Sequence, residues 1–325
     1  MSEDKDKNPL LQVENLMVRF GRKNHQVTAV QKICLEIDAG ETYGLVGGSG
    51  SGKSTIGKAI IGLNPVAEGR VVFDGVELTG EISEEERRKT LGKIQMIFQD
   101  PMSSLNPSKK VRDIVAAGLD ARGDRIGREE RAKKVGDYLE KVGLARENAD
   151  RYPAQFSGGQ RQRVGIARAL ILEPKLIIAD ESIAALDASV QAQVVNLLRK
   201  IQAETGTSFL FISHDLSMVR FLSQKIGVLH MGYMLETGTT EEIFSNPIHP
   251  YTKSLLAAIP TPNPVVQSRR GTRYDYGASG LIYENGTWHN VNPEGTHRVW
   301  CDEESWVNWS FVEDNSASGG NKAAW

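Results

Sequence analysis

The sequence predicts an α/β fold built on a mostly parallel sheet, with an inserted helical subdomain and a small β-rich C-terminal appendage. Three observations lead there. β-prone runs alternate with helical periodicities over most of the chain, the pattern of parallel strands joined by helices. Leu176 to Ala179 is continuously apolar, as a parallel strand buried on both faces should be. A glycine-rich stretch, Gly47 to Gly52, separates an apolar run from a helical one.

Residues 1–9 are charged and read as a disordered start. Leu10 to Phe20 and Ala29 to Ile37 read as strands, each followed by a turn-forming glycine, Gly21 and Gly40. Thr42 to Val46 is a short apolar strand, with helical character from Lys53 onward. Val71 to Phe73 is closed by the turn pair Asp74-Gly75. Ser83 and Glu86 are spaced as a capping box. Ile94 to Phe98 reads as a buried strand. Helical periodicity then dominates residues 102–172, an insertion in the α/β core. Asp187 is placed to cap a helix with one apolar face, and Gly206 to end it. Ser208 to Ile212 is the next strand. The core is expected to span residues 10–260, and a C-terminal extension residues 261–325.

All five tryptophans, 288, 300, 306, 309 and 325, lie in that extension. Tryptophan typically buries a large apolar area, so residues 270–312 are expected to pack as a β-rich unit. Asn285-Gly286 reads as its hairpin turn, and the last dozen residues as disordered.

Composition narrows the function classes. There are 39 basic and 41 acidic residues, a net charge of −2, so no bulk charge draws the chain to nucleic acid or anionic lipid. Two cysteines, Cys34 and Cys301, make no disulfide framework and fit a reducing compartment. The first residues lack the apolar core of a secretory signal. No run approaches the roughly 18 apolar residues of a spanning helix. Work at a membrane would therefore require a partner there.

Gly47-Gly48-Ser49-Gly50-Ser51-Gly52-Lys53-Ser54 fits the P-loop pattern. Glycines let backbone N–H groups turn toward phosphate oxygens, and the following helix aims its positive end at the same anion. Lys53 is placed for the β- and γ-phosphates, Ser54 for Mg²⁺ and Thr55 for the α-phosphate. Asp180 and Glu181 follow the buried strand. One carboxylate there can hold Mg²⁺ through water, and the next can orient or deprotonate an attacking water. Ser157-Gly158-Gly159-Gln160 opens a helix and reads as a second phosphate-binding end. It reads equally as an ordinary N-cap before a basic face, and spacing does not separate the two.

Phe156 to Arg163, reading FSGGQRQR, resembles the signature motif of ABC-type ATPases, a class of P-loop NTPase. The order of the remaining elements is similar to that family's. Gln99 resembles the Q-loop glutamine. Asp180 and Glu181 resemble the Walker B aspartate and catalytic glutamate. Ala185-Leu186-Asp187 resembles the D-loop, and His214 the switch histidine. Phe20 sits where the family stacks an aromatic on adenine. The resemblance implies catalytic roles for Glu181, His214 and Gln99, and metal contacts from Ser54, Gln99 and Asp180. It implies nucleotide contacts from Phe20, from Gly47 through Thr55, from Ser157 to Gln160 and from Asp187. ATP and Mg²⁺ would be the cofactors.

A finer resemblance is to the oligopeptide/dipeptide importer ATPases. Asp100 to Pro107, reading DPMSSLNP, and Asn246 to Leu256, reading NPIHPYTKSLL, carry it. His249-Pro250-Tyr251 reads structurally as a rigid turn. The resemblance implies an ATP-hydrolysing subunit at the cytoplasmic face of the cell membrane. Its partners would be a second, non-identical ATPase, two permease subunits and an extracytoplasmic peptide-binding protein; no nucleic acid is implied. Related importers that carry nickel or glycans leave the cargo open. A non-transport ABC ATPase is disfavoured by the single cassette and the absence of sustained heptads between Lys53 and Asp180.

Two positions depart from the family pattern. Gly48 replaces a usual glutamate, and Ser182 a usual proline; neither removes a ligand. Some relatives bind an iron–sulfur cluster through tail cysteines, but the tail here has only Cys301, so no cluster is expected. Every phosphate and Mg²⁺ candidate lies between Gly47 and His214 and the core is complete by about residue 260, so the tail beyond Thr261 is expected to be dispensable for the nucleotide site.

Overall fold

The computed structural model describes residues 8–21, 25–98, 105–123, 126–182, 186–259, 274–279 and 281–316. Two sheets organise them. The smaller is antiparallel and contains β1 (Leu11–Phe20), β2 (Val27–Ile37), β4 (Glu68–Phe73) and β5 (Val76–Glu77), in the order β2-β1-β4-β5. The larger contains β3 (Thr42–Val46), β6 (Ile94–Ile97), β7 (Leu176–Asp180), β8 (Ser208–Ser213), β9 (Lys225–His230) and β10 (Tyr233–Thr239). The C-terminal strands β11 (Thr287–Asn290) and β12 (Arg298–Cys301) complete it. Its order is β11-β12-β10-β9-β3-β8-β7-β6.

Strands β6, β7, β8, β3 and β9 are parallel neighbours. Every residue of β3, β7 and β8 is buried, which explains their unbroken apolar sequences. Side chains alternate between two cores, as strand geometry requires. Leu176, Ile178, Leu210 and Ile212 join Leu11, Ile33 and Phe73 under the antiparallel sheet. Ile177, Ala179, Phe209 and Phe211 face the opposite core, with Leu139, Val164, Ile166 and Val194.

Helix α1 (Lys53–Ile60) follows β3, and α2 (Glu84–Leu91) precedes β6, its Glu86 N–H donating to the Ser83 hydroxyl at 3.1 Å. Between β6 and β7 lie α3 (Val111–Val115), α4 (Ala117–Arg122), α5 (Arg128–Lys141) and α6 (Gly158–Leu170). Helix α7 (Ala188–Thr205) is capped by Asp187 and stops at Gly206, whose φ is +68°. Helices α8 (Leu216–Leu222), α9 (Thr240–Ser245) and α10 (Pro250–Ala257) flank the last core strands.

The C-terminal hairpin is an edge extension of the main sheet. Strand β12 pairs antiparallel with β10 through Glu236↔Val299 and Thr237↔Arg298, and β11 pairs with β12. A short helix α11 (Tyr276–Ser279) precedes the hairpin and α12 (Glu303–Ser316) follows it. The Trp288 and Trp300 rings lie 5.6 Å apart edge to face, and Trp306 stacks on His289 at 5.1 Å. Trp325 lies outside the described residues.

Asn285-Gly286 is not the hairpin turn. Asn285 ends a 3₁₀ turn ahead of β11, and the strands are joined by Val291 to His297, with Gly295 at φ +70°. Gly286 has ordinary backbone angles, φ −70° and ψ 155°. It is needed for space, since a Cβ there would lie 2.2 Å from Trp300 Nε1.

Candidate functional site

The C-terminal ends of β3, β7 and β8 converge on one edge, where open α/β sheets hold ligands. From β3 the chain enters Gly47–Gly52 and then α1, for which Gly52 is the N-cap at φ +105°. A Cβ on Gly52 would approach the Ala29 carbonyl oxygen to 2.6 Å, so both conformation and space demand glycine.

Lys53 is 3 % exposed. Its ammonium donates to the carbonyls of Gly47 and Gly48 at 2.9 and 2.8 Å and lies 3.5 Å from Glu181 Oε1. Burial lowers its pKa, while the charges of Glu181 and Asp180 oppose that shift. The Ser54 hydroxyl donates to Asp180 Oδ1 at 2.6 Å. Burial raises the Asp180 pKa, with the Ser54 hydrogen bond opposing. Two oxygens thus sit together where an isolated anion is disfavoured, a donor set suited to a hard cation. Thr55 is half-buried one residue further along α1.

Glu181 adopts φ +42°, a region rarely used by non-glycine residues. Its N–H donates to Ile212 of β8 at 3.0 Å. That bond, one residue past β7, turns the carboxylate toward Lys53 and His214. His214 Nδ1 stands 3.8 Å from Glu181 Oε1 on a side chain that is 54 % exposed. Backbone strain of this kind clusters at functional sites.

Ser157, Gly158, Gly159 and Gln160 open α6. The Gln160 N–H donates to the Ser157 hydroxyl at 3.3 Å, and the Ser157 N–H to Gln160 Oε1 at 3.0 Å. A Cβ on Gly159 would lie 2.5 Å from Val190 Cγ1, and one on Gly158 3.5 Å from Leu186. These residues therefore pack on the start of α7. Asp187 accepts there from the Val190 N–H and the Ser189 hydroxyl, which hold its carboxyl below the usual range. Phe20 ends β1 and is 41 % exposed. Gln99, Asp100 to Ser104 and Ala185 lie outside the described residues.

Lys53, Ser54, Asp180, Glu181 and His214 are thus brought together, while Ser157 to Gln160 make their contacts elsewhere. One contact was not legible in the sequence. The Gly48 N–H donates to the Tyr251 hydroxyl at 2.8 Å, so the nucleotide loop is touched from beyond His214. His249-Pro250-Tyr251, expected as a rigid turn, is the start of α10, with His249 Nδ1 accepting from the Tyr251 N–H at 3.0 Å. Glu236 was missed as well. It is fully buried in β10 and accepts from the N–H groups of Ile248 and His249 and from His297 Nε2. An acid inside an apolar strand was the available signal.

Comparison with known proteins agrees with this geometry. Residues 30–184 match the ABC transporter family model, and residues 235–278 the oligopeptide/dipeptide transporter C-terminal region. The chain is 46 % identical over 294 residues to the oligopeptide transport ATP-binding protein AmiF of Streptococcus pneumoniae, covering 90 % of this chain and 95 % of that one. It is 47 % identical over 297 residues to OppF of Bacillus subtilis, covering 90 % and 96 %. It is 50 % identical over 264 residues to the dipeptide transport protein DppF of Lactococcus lactis, covering 80 % and 84 %. A dimeric ATP-binding cassette solved in a post-hydrolysis state with ADP and Pi superposes with a TM-score of 0.64 at 31 % identity, covering 71 % of this chain and 98 % of that one. The cbiO1 protein of Clostridium perfringens gives a TM-score of 0.65 at 28 % identity, covering 74 % and 92 %. The chain belongs to the ABC transporter family, among its oligopeptide/dipeptide transport ATP-binding proteins.

Proposed function

We propose that this chain hydrolyses ATP to power import of oligopeptides or dipeptides through a membrane ABC transporter. The observation that carries the proposal is an ATPase site joined in one chain to the oligopeptide-type C-terminal region, residues 235–278. On this reading residues 10–260 form the ATPase unit, with its helical insertion at 102–172, and residues 261–325 the extension.

Lys53 neutralises the β/γ-phosphates of ATP. Ser54 and Asp180, with Gln99, would hold Mg²⁺, which supplies charge neutralisation at the phosphates. Glu181 accepts a proton from the attacking water, and His214 contacts the γ-phosphate. Loop residues Gly47 to Thr55 cradle the phosphates, and Phe20 stacks on adenine. The exposed N-cap at Ser157, with Gly158, Gly159, Gln160 and Asp187, faces the nucleotide of a second ATPase subunit. That partner is proposed to be non-identical. Two permease subunits and an extracytoplasmic peptide-binding protein complete the assembly. Among the described residues no helix is long and apolar enough to cross a membrane, so the permeases would hold the chain at the cytoplasmic face.

The test is purification of the chain with its associated permease and binding protein, followed by ATPase assay with added cargo. Stimulation by short peptides supports the proposal. Stimulation by nickel or an oligosaccharide in their place overturns the cargo assignment.

A further inference from the structure

We infer that Tyr251 is a positioning residue for ATP, its hydroxyl holding the first half of the nucleotide loop in its binding conformation through the Gly48 N–H. The inference rests on the reading of Gly47–Gly52 as the ATP site.

The loop needs such a support. Four of its six residues are glycine, the residue that loses most conformational freedom on ordering. Within the loop the backbone supplies one long hydrogen bond, from the Ser51 N–H to the Gly48 carbonyl at 3.3 Å. The carbonyls of Gly47, Gly48 and Ser51 are held by the Lys53 ammonium and the Gly232 N–H, and the Gly48 N–H is held by Tyr251. The Tyr251 bond to Gly48 is shorter, at 2.8 Å, and crosses 203 residues of sequence.

Tyr251 is built as a rigid post. Its side chain is buried, its ring centroid 4.3 Å from that of His230 and 5.5 Å from that of Tyr274. His230 Nδ1 is in turn hydrogen-bonded to the Tyr283 hydroxyl at 2.9 Å. The backbone is fixed too. Glu236 takes the N–H groups of Ile248 and His249 at 2.8 and 3.0 Å, setting where α10 begins. A hydroxyl on this scaffold costs little further ordering when it holds the loop, so it reduces the entropy lost on nucleotide binding. The aromatic ring explains packing alone. The hydroxyl aimed at a loop amide has no packing role.

The contact also bears on Gly48, where the family usually carries glutamate. A Cβ at Gly48 would stand 3.3 Å from the Tyr251 hydroxyl. Gly48 does not have a positive φ, so the cost of a side chain there is this contact.

The experiment compares Tyr251→Phe, Gly48→Ala, the double variant and Lys53→Ala in the full chain. ATP affinity and melting temperature are read on each, with KM and kcat from the assembled transporter. Tyr251→Phe keeps the ring and is expected to raise the ATP Kd and KM about 2- to 12-fold, the span of one neutral hydrogen bond, with kcat unchanged. Gly48→Ala is expected to weaken binding in the parent chain and not further in Tyr251→Phe, because the two changes break one contact. Unchanged affinity in Tyr251→Phe, a fall in kcat at constant KM, or equal effects of Gly48→Ala in both backgrounds would overturn the inference. Lys53→Ala separates the two levels of the argument. Should it bind ATP as tightly as the parent, the loop itself is not the ATP site and both readings fall.

Discussion

The carboxylate of Glu236 and Nε2 of His297 meet at 2.8 Å in the protein interior, joining β10 to the loop of the C-terminal hairpin. The same carboxylate receives the N–H groups that start α10. One buried acid therefore anchors both the hairpin and the segment that presents Tyr251.

His297→Ala should destabilise the full chain by about 2–4 kcal/mol, because a buried carboxylate loses a donor it cannot replace with water. Denaturant unfolding of the full chain measures this. A change below about 0.5 kcal/mol, the scale of an ordinary surface substitution, would show that the pair carries no structural load.

Acid should weaken the same region through His249. Burial holds this imidazole neutral and pushes its pKa from 6.5 down to about 3, with the charges of His230 and Lys253 acting in the same direction. The folded pKa is lowered, so the stabilisation is complete above pH 6.5. It is lost as pH falls toward 3, where the unfolded chain binds a proton that the folded chain refuses. The slope is about 1.4 kcal/mol per pH unit. Between pH 7 and 5 the parent should lose about 2 kcal/mol more than His249→Asn, which keeps a capping side chain. Equal losses in the two proteins would contradict this.

Ser157→Arg should leave ATP binding to the chain's own loop intact while blocking ATP-dependent pairing of ATPase subunits. Ser157 is exposed, and its contacts run to Gln160 rather than to the loop. Nucleotide titration and light scattering on the same samples separate the two effects. Loss of affinity matching that of Lys53→Ala would argue against a site shared between subunits.

What the sequence made legible was local. Strands β3, β7 and β8 announce themselves because both their faces are buried. Lys53, Ser54, Asp180, Glu181 and His214 were readable because each sits in a short string beside a strand end. The Tyr251–Gly48 contact was not, because it depends on how α10 docks, and nothing near Tyr251 encodes that. Asn285-Gly286 misled for a related reason. Its glycine serves the Trp300 ring, a neighbour only after folding.

Glu181→Gln asks whether Glu181 performs hydrolysis at the site formed by Lys53, Ser54 and Asp180. The amide keeps the shape of the side chain, 3.5 Å from Lys53 and 3.8 Å from His214 in the parent, but cannot take a proton from water. ATP affinity and turnover should be measured on the same assembled transporter. Affinity should be retained and turnover should fall about 10²- to 10⁴-fold, the usual contribution of a general base. Turnover within a few-fold of the parent, or loss of ATP binding along with turnover, would contradict it.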